Sequence, residues 1–398
     1  MSPTTPIRAL IIGGGIGGVS TALALRHFGI NSLVFERAPR PAEVGAGISL
    51  WGNAIAALRA FGAADAVIAR GEPMGTGELR TASGRLLSSS DMADADARLG
   101  EPSILLHRAD LLEALLGALG TTDPTAPFGS GRAAVHFGHR FTGLEQDGAG
   151  VTASFENGRR ERGDVLIGAD GINSAVRAAI IGDGPARYSG YTCWRAVADV
   201  PADLVPARYV CEYWGRGQRF GITRIGRGRV YWYATQNAAP EGRDASPRAA
   251  HEHLRALFSA WCEPIPRVVE LTDPGAIIRN DIVDRPPRRG WSKGRAVLIG
   301  DAAHPTTPNV GQGACMAIED ALVLARLLAG HADPREAFPG FEAIRYPRTA
   351  AITNVSWRLG RVGQWGSPLL CAVRDRVFGA IPRSIIMKQH TRVVGFRA

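Results

Sequence analysis

The sequence predicts an α/β fold with an antiparallel sheet inserted into it and helices at its C-terminal end. Three observations predict it. The first residues alternate apolar strand, glycine turn, helix and strand; from about Tyr188 to Ile278 the texture changes to aromatic and β-branched alternation; and an apolar strand at Ala296 restores the first pattern before a helical end.

The opening strand is read at Ala9-Leu-Ile-Ile12, which runs directly into glycine. A helix from about Ile16 to Phe28 follows, punctuated by Gly29 to Asn31, and the strand Ser32-Leu-Val-Phe35 completes a β-α-β unit. A second helix is expected around Asn53 to Phe61. A third is expected from Arg108 to Leu119, where Leu111, Leu112, Leu115 and Leu119 recur at helical spacing. Arg229-Val-Tyr-Trp-Tyr-Ala234 typifies the inserted sheet, which is read as antiparallel. Ala296-Val-Leu-Ile299 then returns the chain to the first domain, a long helix runs from about Gly313 to Leu328, and residues from about Pro334 onward read as helices. The expected division is 1–70, 102–182 and 281–330 for a nucleotide-binding domain, 71–101 and 183–280 for a substrate-binding sheet domain, and 331–398 for a helical C-terminal region.

With 398 residues, 45% of them hydrophobic and 21% charged, the chain has the material for two packed cores, and disorder is not expected over most of it. The net charge of +9 invites a nucleic-acid reading, but a basic face needs clustering. The only lysines are Lys293 and Lys388, and the arginines are scattered among acids, so no nucleic-acid partner is expected. The 5 cysteines are widely spaced and form no CxxC pair, which speaks against a disulfide framework or a zinc site and for a reducing cytoplasm. The polar N-terminal lead enters a strand rather than a cleavage site, so no signal peptide is expected. No apolar run reaches the roughly 20 residues that span a bilayer.

Gly13-Gly-Gly15-Ile16-Gly-Gly18 is a G-x-G-x-x-G between a strand and a helix, with Glu36 closing the next strand. Gly13 suits a tight turn, Gly15 lets backbone approach a pyrophosphate, and Gly18 lets helix and strand pack closely; the helix N-terminus offers N–H groups and a positive dipole. Glu36 suits a ribose hydroxyl. This motif alone does not separate NAD from FAD. No second copy occurs, because Gly215-Arg-Gly217 lacks the third glycine in register.

Two later segments separate them by likeness. Leu298-Ile-Gly-Asp-Ala-Ala-His-Pro305, continuing to Pro308-Asn-Val-Gly-Gln-Gly313 and Glu319-Asp320, resembles the GD motif of the flavoprotein aromatic hydroxylases related to p-hydroxybenzoate hydroxylase. Asp164-Val-Leu-Ile-Gly-Ala-Asp170-Gly171, continuing through Ser174 to Arg177, resembles their DG motif. Gly45-Ala-Gly-Ile-Ser-Leu50 and Tyr188-Ser-Gly-Tyr-Thr-Cys-Trp194 are similar to the branch holding urate, salicylate and 3-hydroxybenzoate hydroxylases and zeaxanthin epoxidase.

The resemblance implies a Rossmann-like FAD-binding domain (GR2-type) with an inserted sheet that roofs the flavin. It implies one FAD, NADH or NADPH as transient co-substrate, O2, and a small aromatic or heteroaromatic substrate hydroxylated through a flavin C4a-hydroperoxide. Epoxidation of an alkene or indole double bond, a flavin-dependent reductase, and a non-catalytic flavin binder are the alternatives.

Residue by residue, it implies Asp301 at the ribityl chain, Gly311, Gln312 and Gly313 at the flavin pyrimidine ring, and Arg108 at the phosphates or ribityl chain. Arg37 is placed at the adenosine end, Gly47 and Ile16 at the cofactor, and Asp170 between FAD and nicotinamide handling. Asp301 has a helix or loop cap as a bland alternative, Asp170 a strand-end cap, and Arg108 a surface helix charge. Pro308 is placed with the catalytic residues. Arg219 and Tyr231 correspond to an arginine and a tyrosine over the substrate, the former to stabilise an anion and the latter to move a proton; a hairpin arginine and a core tyrosine are the alternatives. His304 is expected to be a structural hydrogen-bonding residue.

Of the sheet aromatics Tyr191, Trp194, Tyr213, Trp214, Phe220, Tyr231, Trp232 and Tyr233, alternation lets about half face a pocket. Two departures speak against urate itself: Trp51-Gly52-Asn53 where urate hydroxylases tend to show Trp-Pro-Asn, and Cys193-Trp194-Arg195.

Overall fold

The computed structural model describes residues 7–41, 46–120 and 134–398; Gly45 of the Gly45–Leu50 segment lies outside them. The β-α-β opening forms as read, with strand Arg8–Ile12, helix Ile16–His27 and strand Asn31–Phe35. Gly13 adopts φ +109°, and a Cβ at Gly18 would overlap its carbonyl oxygen, so the helix starts hard against the loop that precedes it. Small residues also let this helix approach the late helix Gly313–Ala329: a Cβ on Gly17 would sit 3.4 Å from that of Ala317.

These elements belong to a six-stranded sheet in the order Ser292–Lys293, Ala296–Leu298, Val165–Gly168, Arg8–Ile12, Asn31–Phe35, Ala134–His136. All neighbours pair in parallel except the first two. Its interior strands are almost continuously apolar, as a sheet buried on both faces requires. A three-stranded antiparallel meander (Phe141–Gln146, Val151–Phe155, Arg160–Gly163) and a small sheet (Gly47–Leu50, Ile104–His107, Glu72–Pro73) sit beside it.

The inserted sheet has seven strands, ordered Ile278–Asp284, Arg187–Ala198, Val230–Asn237, Gln218–Arg224, Tyr209–Trp214, Thr76–Thr81, Leu86–Asp91. It is not wholly antiparallel as expected, because Tyr209–Trp214 pairs in parallel with Thr76–Thr81 across a long stretch of chain. Nor is the region all strand. Helices Pro247–Phe258 and Ile265–Leu271 cover one face of the sheet, the first opened by the Ser246 hydroxyl accepting from Ala249 N and by Pro247 in the first turn. Their Ala250, Leu254, Phe258, Ile265 and Val268 pack with Trp194, Phe220, Val230, Trp232 and Ala234 in a second core.

The C-terminal residues are helical as expected, over Pro334–Gly363, Pro368–Ala380 and Arg383–Val394. Among the described residues no helix is long and apolar enough to cross a membrane, and no His, Cys, Asp or Glu cluster has a metal-binding arrangement.

Candidate active site

The C-terminal ends of the parallel strands and the uncovered face of the seven-stranded sheet open onto one cavity of about 1220 Å³. An α/β sheet places ligands at these strand ends. Of the sixteen residues the sequence singled out, the cavity gathers all but Gly18, whose role is packing.

At one end lie Gly13, Gly15, Ile16, Glu36 and Arg37. A Cβ on Gly15 would meet no atom within 4 Å, which is the open cradle a pyrophosphate needs above the N-terminus of helix Ile16–His27. Glu36 is already engaged: its Oε2 accepts from Gly14 N at 2.7 Å and its Oε1 from Ala38 N at 2.8 Å. The carboxylate keeps lone pairs for a ribose while it holds the glycine loop. Arg37 is exposed beside it.

In the middle lie Arg108, Asp170, Asp301 and the loop Pro308 to Gly313. Arg108 is the first residue of helix Arg108–Leu119, where the spacing starts it. Asp301 sits in a 3₁₀ turn, Gly300–Ala302, just after the strand Ala296–Leu298, with its side chain open to the cavity. Enclosure by protein raises the Asp301 carboxyl above its ordinary range, opposed by the charges of His304 and Arg108. Burial lowers the Arg108 guanidinium, against the pull of Asp301. Gly311, at φ +60°, lets its carbonyl accept from Trp51 Nε1 at 3.1 Å and turns the chain so that Gly311, Gln312 and Gly313 present the start of the long helix to the cavity. Gln312 is fully buried, and its amide nitrogen has no partner among the described residues. These features fit a flavin: an open glycine cradle, a carboxylate facing the cavity, and a helix N-terminus able to stabilise negative charge.

Asp170 lines the cavity and also caps a helix. Its Oδ1 accepts from Ser174 Oγ at 2.5 Å and its Oδ2 from Ala175 N at 2.8 Å, at the start of Ala175–Ile180, so it caps that helix while keeping its cavity position. Burial raises its carboxyl, opposed by these hydrogen bonds.

At the far end the sheet alternates. Tyr191, Trp214, Tyr231 and Tyr233 face the cavity, while Trp194, Tyr213, Phe220 and Trp232 face the second core. Gly47 lies against Tyr231 so closely that a Cβ would overlap its ring. Burial holds the Tyr231 phenol above its ordinary range, hence protonated. Arg219 is buried among Tyr191, Glu212 and Gln364.

A family model described as an FAD binding domain matches residues 6–354. The chain belongs to that family. This FAD-dependent monooxygenase is 43% identical over 373 residues to the aurachin C monooxygenase/isomerase of Stigmatella aurantiaca, covering 94% of each chain. It is 33% identical over 344 residues to an FAD-dependent urate hydroxylase of Klebsiella pneumoniae, covering 86% of each. The structure of Klebsiella pneumoniae HpxO complexed with FAD and uric acid superimposes with a TM-score of 0.90 at 28% identity, over 99% of this chain and 98% of that one. The resemblance read from the GD and DG motifs is thereby shown.

The monooxygenase also uses residues that sequence reading passed over or named without a partner. His304 Nε2 lies 2.6 Å from Asp320 Oδ2, which also accepts from Gly300 N at 2.8 Å; Asp320 Oδ1 accepts from Arg345 Nε at 2.6 Å. Arg345 pairs in turn with Glu319, which receives Arg348 and the Asn53 amide, and that amide also donates to Gln312 Oε1 at 3.0 Å. This buried chain anchors both Gly300, beside Asp301, and Gln312. His304 is therefore structural, as expected. Arg177 donates to the carbonyls of Ala302 and Ala303 at 2.8 and 2.9 Å, fastening the DG segment to the GD loop. The Glu319-Asp320 pair was in the quoted motif; Arg345 carried no local signal.

Proposed function

We propose that the enzyme uses NADH or NADPH and O2 to hydroxylate a small aromatic or heteroaromatic substrate in the cytoplasm. The observation that carries this reading is the sharing of one cavity by the glycine cradle, Asp301, the N-terminus of the long helix and the aromatic face of the inserted sheet. Bound FAD would supply hydride acceptance from the nicotinamide and activation of oxygen. Gly13, Gly15, Ile16 and Glu36 bind its phosphate and adenosine end with Arg37; Arg108, Asp170, Asp301 and Gly47 hold its middle; and Gly311, Gln312 and Gly313 set a positive dipole toward its ring. Tyr191, Tyr231, Tyr233 and Pro308 enclose the substrate and exclude water, which protects a reactive oxygen donor from wasteful decay. Tyr231 keeps its proton at neutral pH and donates a hydrogen bond from it to a substrate oxygen. The working division is 1–70, 102–182 and 281–330 for FAD, 71–101 and 183–280 for substrate, and 331–398 as a helical cover.

The test is Asp301→Ala. The variant should unfold like wild type without flavin yet lose FAD on desalting; undiminished retention would overturn the placement of the cofactor. With wild type, incorporation of labelled O2 into phenols, indoles, quinolones and purines should identify the product, and nicotinamide oxidation without incorporation would support a reductase instead.

A further inference from the structure

The substrate end of the cavity holds an arginine that is already neutralised from within the protein. The Arg219 side chain is only 3% exposed, and its NH1 lies 3.0 Å from Glu212 Oε1. Its Nε donates to Gln364 Oε1 at 3.1 Å, and its guanidinium stands 5.2 Å from the Tyr191 ring centre. Strand register brings the two within reach: Trp214 lies opposite Arg219 and Glu212 opposite Gly221, so Glu212 and Arg219 are diagonal neighbours on the cavity face. Trp214 Nε1 donates to the same Glu212 oxygen at 3.1 Å and fixes it.

We infer that Glu212 sets the substrate class: by neutralising Arg219 it makes the pocket accept an uncharged aromatic or heteroaromatic ring and reject the carboxylate or ring anion that a free arginine there would bind. This rests on the hydroxylase reading of the site. An anion beside Arg219 would stand next to the Glu212 carboxylate in a poorly solvated space, where like charges repel strongly. Much of that end is apolar or neutral, and the lining Glu78 is paired with Arg80 at 2.7 Å. Met74, Leu105, Val210, Phe378 and Ile386 line it, and burial keeps the Tyr191, Tyr231 and Tyr233 phenols protonated. Of the other arginines of the cavity, Arg37 follows Glu36 at the glycine loop and Arg140 pairs with Glu156 at 3.4 Å. Arg195 sits opposite Tyr233, donates to Asn280 Oδ1, and its charge bears on both Tyr231 and Arg108.

The experiment uses the FAD-loaded enzyme at neutral pH and an isosteric probe pair, 3-hydroxybenzamide and 3-hydroxybenzoate, with binding read from perturbation of the flavin spectrum. Wild type should bind the amide roughly tenfold or more tighter than the carboxylate, and Glu212→Gln should move that ratio at least about tenfold toward the carboxylate. The double variant Glu212→Gln with Arg219→Gln should move it back. A wild type that binds the carboxylate as tightly as the amide, or a ratio that Glu212→Gln leaves in place, overturns the inference. Should Glu212→Gln fail to fold, Arg219→Gln decides: it bares Glu212, so carboxylate binding should fall about tenfold further, and unchanged or improved carboxylate binding refutes the idea. Coupled hydroxylation with an unmoved ratio sinks only the selectivity. The predicted ratios without any oxygen incorporation sink the hydroxylase reading and leave the selectivity standing.

Discussion

Gly15 and Gly18 stand three residues apart at the start of helix Ile16–His27, the first as its cap and the second inside its first turn, and the structure assigns opposite consequences to the same substitution. Gly15 has φ −78° and ψ −171°, a conformation open to any residue, and an added Cβ would meet no atom within 4 Å. In the flavin-free protein Gly15→Ala should gain about 0.4–1 kcal/mol from a less flexible unfolded chain. A slightly poorer helix cap offsets part of this, by a few tenths of a kcal/mol. The net change should stay within about 0.5 kcal/mol. With FAD bound, the methyl occupies the space left for the pyrophosphate. Overpacking of that kind costs about 1–3 kcal/mol, which corresponds to roughly 5- to 150-fold weaker binding. Gly18→Ala instead drives a methyl into the Gly13 carbonyl oxygen and to 3.4 Å from Ile11 Cγ2, so the helix must move. That variant should lose about 3 kcal/mol or more with or without flavin. Urea unfolding of the apoproteins, together with flavin titration, separates the two. Equal destabilisation of both variants, or wild-type FAD affinity in Gly15→Ala, would refute the reasoning.

Two further outcomes follow from buried groups. Asp320 is fully buried against His304, Gly300 N and Arg345, so Asp320→Asn should cost about 3–5 kcal/mol and loosen FAD through Gly300; a urea midpoint equal to wild type would rule this out. His136 is buried beside Arg159, and burial first, then that charge, pushes its imidazole down to about 4. Above the ordinary histidine value of about 6.5 both states are neutral, whereas below it only the unfolded chain takes a proton. Stability should therefore fall between about pH 6.5 and pH 4, by at most about 3 kcal/mol, and His136→Phe should remove that part of the slope; parallel pH curves for the two proteins would count against it.

The parts of the molecule legible in sequence are those where local pattern and local structure coincide. The opening strand and helix carry their own period and punctuation, and the Arg108–Leu119 and Gly313–Ala329 helices start close to where the spacing places them. The two helices at 247–271 had a signal that the surrounding strands obscured: Ser246 and Pro247 before Ala250, Leu254 and Phe258 at helical intervals. The parallel pairing of Tyr209–Trp214 with Thr76–Thr81 had none, because register between strands distant in the chain is decided by packing. The same holds at the site. Glycines and Asp301 announce themselves by motif, but the pairing of Arg219 with Glu212, and of Arg345 with Asp320, exists only once strands and helices have met.

The strand Val230–Asn237 divides its duties by parity. Tyr231, Tyr233 and Thr235 look into the cavity, and Val230, Trp232 and Ala234 into the core beneath the two helices. Mutational drift at the odd positions can re-tailor which molecules are admitted while folding is left alone; drift at the even positions is policed by packing volume. A lineage built on this strand can thus diversify its chemistry one residue at a time without first reinventing its scaffold.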